Sequence, residues 1–169
     1  MDAPKKISSL LFVCMGNICR SPAAENVMNG LLKAEGLENE VRCDSAGTID
    51  FHQGKRPDRR MRRVFREKGV SMTGTSRLIT EKDLKTFDLI LAMDRCNVED
   101  IRQLDPKKKF QSKILMMSVF AKNPNLPIEV PDPYKGKEKD FEFAFNMIVN
   151  CCEGLLDEIK RRNGLPRAS

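Results

Sequence analysis

The run Cys14-Met15-Gly16-Asn17-Ile18-Cys19-Arg20-Ser21 places a cysteine and an arginine with five residues between them, between a short apolar stretch and a helix-like segment. That arrangement suits an oxyanion. Successive backbone N–H groups in a tight turn can converge on one anion, and the N-terminus of a following helix adds positive potential. Gly16 permits close approach, Asn17 tolerates left-handed dihedrals, and Arg20 offers a planar fork to two phosphate oxygens. The same field favours a thiolate at Cys14, and the Ser21 hydroxyl is placed to hydrogen-bond it. In-line attack on phosphorus would give a phosphocysteine, with Arg20 and the loop amides holding the equatorial oxygens. A lone cysteine at a strand end is more often an inert buried thiol. The joint pattern makes Cys14 a nucleophile.

An alkoxide or phenolate leaving group needs a proton, and the chain has one histidine, His52. A carboxylic acid is then the natural donor. Asp132, in Pro131-Asp132-Pro133-Tyr134, is the candidate, because flanking prolines restrict the backbone that carries it. Alone, the same residues would read as an Asp-Pro turn.

These groups need a scaffold. Leu10-Leu11-Phe12-Val13 reads as a buried strand. Pro22 suits the first turn of the next helix, which should stop near Gly36. A second strand is expected over Val41–Ser45, a loop over Ala46–Pro57, and a basic helix over Asp58–Lys68. Thr80-Glu81-Lys82-Asp83 is a capping signal. Further strands are expected at Phe87–Met93 and Lys113–Met117, with a helix at Asn97–Leu104 between them. Val119–Glu138 is the longest loop. Apolar spacing from Asp140 to Arg162 marks a long amphipathic helix, and Gly164–Ser169 a frayed tail. Alternating strands and helices predict an α/β fold, about four parallel strands with helices on both faces. Ligands bind such sheets outside the carboxyl ends of the strands, where Cys14 falls. The 169 residues fit one domain, with an ordered core over about residues 6–162.

Composition narrows the setting. The chain is 40% hydrophobic and 32% charged, as expected of a folded soluble protein. No apolar run approaches the roughly 20 residues of a membrane span, and the polar N-terminus lacks a signal peptide's apolar stretch, so a cytoplasmic protein is expected. The six cysteines then read as reduced thiols. Their spacings fit no zinc pattern, and no metal or other cofactor is expected. The net charge of +6 favours anionic partners. With one tyrosine and no tryptophan, nucleic acid is not indicated. The basic segment Lys55–Arg66 reads either as a solvated helix face or as a patch for acidic substrates, partners or lipid headgroups.

The chain resembles the low-molecular-weight protein tyrosine phosphatases from about Lys6 to Arg162. The resemblance is carried by Leu11-Phe12-Val13-Cys14, Gly16-Asn17-Ile18-Cys19-Arg20-Ser21-Pro22, Asp44-Ser45-Ala46-Gly47, Pro57-Asp58, Thr86-Phe87-Asp88, Met93-Asp94 and Asp132-Pro133-Tyr134. It implies a flavodoxin-like sheet and metal-free hydrolysis of phosphotyrosine and other aryl phosphates, with phosphate and other oxyanions as inhibitors. It assigns Cys14 as nucleophile, Arg20 as phosphate binder and Asp132 as general acid, then base. Met15, Gly16, Asn17, Ile18 and Cys19 would form the loop around the phosphate. Asn17, Ser21 and Ser45 would brace it, with Asp94 as a supporting carboxylate. Cys19 would be a redox partner able to form a disulfide with Cys14, the alternative being a buried packing residue. Phe51 and Tyr134 would wall a phenyl ring, with His52 at the rim. Ile18 goes with phosphotyrosine in the family, whereas related arginine phosphatases have threonine there. The resemblance implies a monomer that could dimerise weakly, since some relatives pair through their active-site face.

Two departures stand out. Tyr134-Lys135 replaces the tyrosine pair of many relatives, which removes regulation through the second tyrosine. The segment Thr73–Arg77 also lacks the histidine that supports the loop in many relatives, leaving its brace open. Rival readings are an arsenate reductase on the same fold, for which only Cys96 lies in the right region, and a non-catalytic phosphoprotein-binding module.

Overall fold

Strand β1 (Ser9–Cys14) is buried along its whole length, and everything else is arranged around it. The computed structural model describes residues 3–167. The strands β1, β2 (Arg42–Gly47), β3 (Leu89–Ala92) and β4 (Ile114–Met116) form one parallel sheet in the order β2-β1-β3-β4. The helices are α1 (Arg20–Ala34), α2 (Arg59–Glu67), α3 (Glu81–Thr86), α4 (Arg95–Gln103) and α5 (Glu138–Arg162).

Alternation along β1 explains the layers, because successive side chains point to opposite faces. Leu10, Phe12 and Cys14 join the larger core with Met28 and Leu32 of α1, Val64 and Phe65 of α2, and Phe141 and Ile148 of α5. Leu11 and Val13 join the smaller core with Leu84 of α3 and with Val98 and Ile101 of α4. A strand buried on both faces reads as an unbroken apolar run, which Leu10–Val13 is. Each fully buried leucine or phenylalanine contributes about 1.5–3 kcal/mol. This is the flavodoxin-like α/β fold expected from the alternation of elements. From β1 the chain moves to β2 on one side and later to β3 on the other. The strand order therefore reverses beside Cys14, and that reversal opens a crevice.

Several boundaries differ from the sequence reading, each for a local reason. α1 begins at Arg20, so Arg20 and Ser21 belong to its first turn rather than to the loop. Pro22 is its third residue, where the missing N–H has no partner in the helix anyway. β2 runs on to Gly47 because its register with β1 continues to the Cys14 pair. α2 begins at Arg59, with Asp58 as its cap. The capping box at Thr80 and Asp83 is present. β3 is shorter than expected because Phe87 closes α3, its N–H donating to the Asp83 carbonyl at 3.1 Å. β4 is shortened by flanking 3-10 turns at Gln111–Lys113 and Met117–Phe120. α4 starts at Arg95, directly after its cap Asp94, and α5 starts at Glu138. Of the expected tail, residues 168–169 lie outside the described residues. Among the described residues, no helix is long and apolar enough to cross a membrane.

Candidate active site

Cys14 ends β1, and the chain then turns through residues 15–19 into α1. Asn17 holds that turn. Its φ of 54° lies in the left-handed region, which asparagine tolerates better than most residues. Its amide is fully used. Oδ1 accepts from the Arg77 N–H at 3.0 Å, and Nδ2 donates to Ser21 Oγ at 2.8 Å and to Ser45 Oγ at 3.0 Å. Ser21 Oγ lies 2.9 Å from Cys14 Sγ. Because the Asn17 amide nitrogen can only donate, the Ser21 hydrogen is free to point at the sulfur.

The loop is gripped from outside as well. Ser76 Oγ donates to the Gly16 carbonyl at 3.0 Å. Ser76 and the Arg77 backbone thus brace the loop within the segment that lacks a histidine. The Thr48 and Ile49 N–H groups donate to the Met15 carbonyl at 2.9 and 3.0 Å. The chains cross so closely that a Cβ on Gly47 would sit 2.8 Å from the Met15 oxygen. The Asp58 N–H donates to the Ile18 carbonyl at 2.7 Å, which ties the start of α2 to the loop.

Arg20 is 2% exposed, yet both its terminal nitrogens are placed. Nη1 donates to Asp94 Oδ2 at 2.7 Å and to the Val130 carbonyl at 2.9 Å. Nη2 lies 3.7 Å from Asp132 Oδ2. Burial alone would lower the pKa of Arg20, but Cys14, Asp94 and Asp132 outweigh it and move it up. The long loop is anchored where it meets this arginine, since the Val130 N–H donates to the Met93 carbonyl at 2.9 Å. Pro131 and Pro133 flank Asp132, and its Oδ1 accepts from the Tyr134 N–H at 3.1 Å.

Cys14, Arg20 and Asp132 line one cleft of about 540 Å³, together with Met15, Gly16, Ile18 and Cys19. Phe51, His52 and Tyr134 stand at its mouth. They form a row of three rings rather than two facing walls. Phe51 and His52 meet edge to face with centroids 4.8 Å apart, and His52 and Tyr134 are tilted at 5.9 Å. His52 packs down on the loop, so a Cβ on Gly16 would meet its Cδ2 at 2.9 Å. Asn17, Ser21 and Ser45 do not line the cleft. They lie buried as its support.

Four members of the site and its support were missing from the sequence reading. Ile49 and Lys135 also line the cleft. Glu25 accepts from Ser45 Oγ at 2.5 Å and ends a relay of hydrogen bonds that starts at the Cys14 sulfur. Burial raises the Glu25 pKa, with Asp44 adding to it, against the Ser45 hydrogen bond and Arg77. Glu25 lies four residues after Ser21, on the same face of α1, and that spacing was the available signal. Ser76 had no comparable signal. Burial also pushes the Cys19 thiol well up, with further contributions from Asp58 and Cys14.

A parallel sheet that reverses its strand order beside a cysteine-arginine loop defines a flavodoxin-like protein with a strand-end crevice whose geometry suits an oxyanion. The family profile described as low molecular weight phosphotyrosine protein phosphatase matches residues 9–164. The chain is 40% identical over 157 residues to the Gallus gallus low molecular weight phosphotyrosine protein phosphatase, covering 92% of this chain and 98% of that one. The Homo sapiens protein of the same name is 38% identical, with the same coverage. A crystal structure of a protein tyrosine phosphatase from Entamoeba histolytica, with Hepes in its active site, is 41% identical and superposes with a TM-score of 0.85. That match covers 93% of this chain and 98% of the other. The chain belongs to the low-molecular-weight phosphotyrosine protein phosphatase family.

Proposed function

We propose that this protein hydrolyses phosphotyrosine and other aryl phosphates through a phosphocysteine on Cys14. The observation that carries the reading is the convergence of Cys14, Arg20 and Asp132 on one cleft with an aromatic mouth. The relatives named above are called phosphotyrosine phosphatases, which points the same way.

In the first step the Cys14 sulfur attacks phosphorus and the bond to the aryl oxygen breaks. Asp132 gives its proton to the departing phenolate. Arg20 and the loop amides hold the three equatorial oxygens, and one such fixed donor contributes about 3–4 kcal/mol to lowering the barrier. In the second step Asp132, now a carboxylate, takes a proton from water as the water attacks phosphorus. The sulfur leaves as a thiolate that receives the Ser21 hydroxyl hydrogen bond. General acid–base assistance of this kind contributes about 10²–10⁴ in rate.

Cys19 supplies an oxidised off-state. A Cys14 sulfenic acid and the Cys19 thiol would form one S–S bond and release one water. The arsenate reductase reading is disfavoured by the surroundings of Cys96. It is exposed at the start of α4, and no second cysteine follows in that helix.

The test is steady-state hydrolysis of p-nitrophenyl phosphate and a phosphotyrosyl peptide by wild type, Cys14→Ser and Asp132→Ala. Wild type should turn over both and Cys14→Ser neither. Activity that survives Cys14→Ser rules out the mechanism. Thioredoxin-dependent arsenate reduction by wild type would favour the rival.

A further inference from the structure

We propose that the exposed arginine face of α2 docks acidic residues flanking the phosphotyrosine of a protein substrate. This rests on the aryl-phosphatase reading and narrows its substrate class.

The face is continuous with the cleft. α2 is fastened to the phosphate loop through the Asp58 N–H, and the Arg60 guanidinium lies 5.4 Å over the ring of Tyr134 at the mouth. From there Arg59, Arg60, Arg63 and Arg66, all exposed, line one shallow depression of about 370 Å³. Two lysines carry positive charge around the mouth itself. Lys135 lines the cleft, and Lys55 stands 5.6 Å over the Phe51 ring.

Helix stability accounts for part of this charge, since Arg66 lies in the last turn, Arg63 pairs with Glu67 four residues on and Arg60 stacks on Phe141, but it does not account for Arg59. Arg59 and Arg60 occupy the first turn, where the helix dipole disfavours cations, and no acidic residue lies in that turn. Arg59 and Arg63 are four residues apart and Arg63 and Arg66 three apart, spacings at which like charges repel. Neutralisation is incomplete. Asp58 pairs with Arg60 at 3.0 Å, and Glu67 and Glu138 approach Arg63 at 3.2 and 3.6 Å. Arg59 and Arg66 have no carboxylate within ion-pair distance among the described residues. Their forks are free to take carboxylates two-pronged.

A peptide fits this face better than a membrane does. The apolar residues of α2, Met61, Val64 and Phe65, are all buried in the core, so the helix has nothing to insert among acyl chains. An extended chain leaving the cleft past Tyr134 meets Arg60 first and the other arginines within a few residues, at about 3.3 Å per residue.

The test compares two phosphotyrosyl peptides of equal length, one flanked by glutamates and one by glutamines, against wild type and Arg59→Gln/Arg66→Gln. p-Nitrophenyl phosphate, too short to reach α2, reports the integrity of the catalytic site. Wild type should favour the acidic peptide about tenfold in kcat/KM at low salt, mainly through KM, and the preference should shrink as salt is added. The double variant should lose most of that preference while its p-nitrophenyl phosphate kinetics stay the same. Equal kcat/KM for the two peptides in wild type, or a full preference in the double variant, overturns the proposal. So does arginine-dependent sedimentation with phosphatidylcholine–phosphatidylserine vesicles without peptide discrimination, which would assign the face to lipid headgroups. If wild type hydrolyses none of the substrates, the reading beneath has failed. Binding of the two peptides to Cys14→Ser, measured by fluorescence anisotropy, then decides the docking claim alone.

Discussion

Arg20 and Asp94 form an ion pair of 2.7 Å in which the carboxylate has two tasks. Its Oδ2 holds the buried guanidinium, while its Oδ1 accepts the Asn97 N–H at 2.8 Å and caps α4. The two oxygens can be separated by mutation. Asp94→Asn keeps a good cap but loses the charge, and Asp94→Ala loses both. Asp94→Ala should unfold about 1 kcal/mol more easily than Asp94→Asn, the usual value of a cap. Both should lower kcat, since each leaves Arg20 without its carboxylate. Denaturant titration beside steady-state kinetics checks the pair. Equal stability of the two variants would show that the cap contributes nothing.

Asn17 combines an unusual backbone conformation with three hydrogen bonds. Asn17→Gly should keep the backbone and lose the amide, while Asn17→Ala adds strain at positive φ of about 1–2 kcal/mol. Both should cut kcat, by about tenfold to a hundredfold, because Ser21 and Ser45 lose their common donor. The alanine variant should also be the less stable. An alanine variant as stable as the glycine variant would contradict the conformational argument.

Glu25 links the support network to pH. Burial first, then Asp44, hold its carboxyl above the ordinary glutamate value. The folded protein therefore binds this proton more tightly than the unfolded chain does. Between the two titrations the folded state carries more protons, so this contribution is fully present below the unfolded value and is lost as pH rises through the folded one. Glu25→Gln, which keeps an oxygen for Ser45, should remove that part of the slope. Unfolding free energies from about pH 4 to about pH 7 check it. An unchanged slope in Glu25→Gln would refute the assignment.

Burial holds Cys19 largely as the thiol, so the proposed closure onto an oxidised Cys14 should be slow. While the thiolate is the minor form, the closure rate should rise about tenfold per pH unit. Mass spectrometry after a peroxide pulse at two alkaline pH values measures it. A closure rate independent of pH would show that Cys19 does not attack as a thiolate. Cys19→Ser should lose the reductant-reversible fraction altogether.

The legible and illegible parts of the site divide by distance along the chain. Cys14, Gly16, Asn17, Arg20 and Ser21 lie in one short run, so the turn that gathers them between β1 and α1 could be read from spacing. Asp132 was singled out because a cysteine mechanism needs an acid, and the fold brings it into the same cleft, 3.7 Å from Arg20. The β1 layer was legible because a strand buried on both faces is apolar throughout. Ser76 was not, since a serine in a coil carries no mark of the carbonyl it will meet 60 positions away. Asp94 shows the same limit. As a local pattern it reads only as a helix cap, and its hold on Arg20 depends on the sheet bringing β1 beside β3. The helix start at Arg20 was not legible, because Pro22 marks the first turn without marking which residue of that turn it is.

The central claim is a covalent phosphoryl group on Cys14, and acid quench during turnover tests it directly. Wild-type protein or Asp132→Ala, mixed with an aryl phosphate, quenched within milliseconds and digested, should carry phosphate on the peptide containing Cys14 and on no other. Asp132→Ala should accumulate more of it with a good leaving group, because water attack then lacks its base. Turnover without phosphate on that peptide, or with phosphate on another residue, would contradict the mechanism.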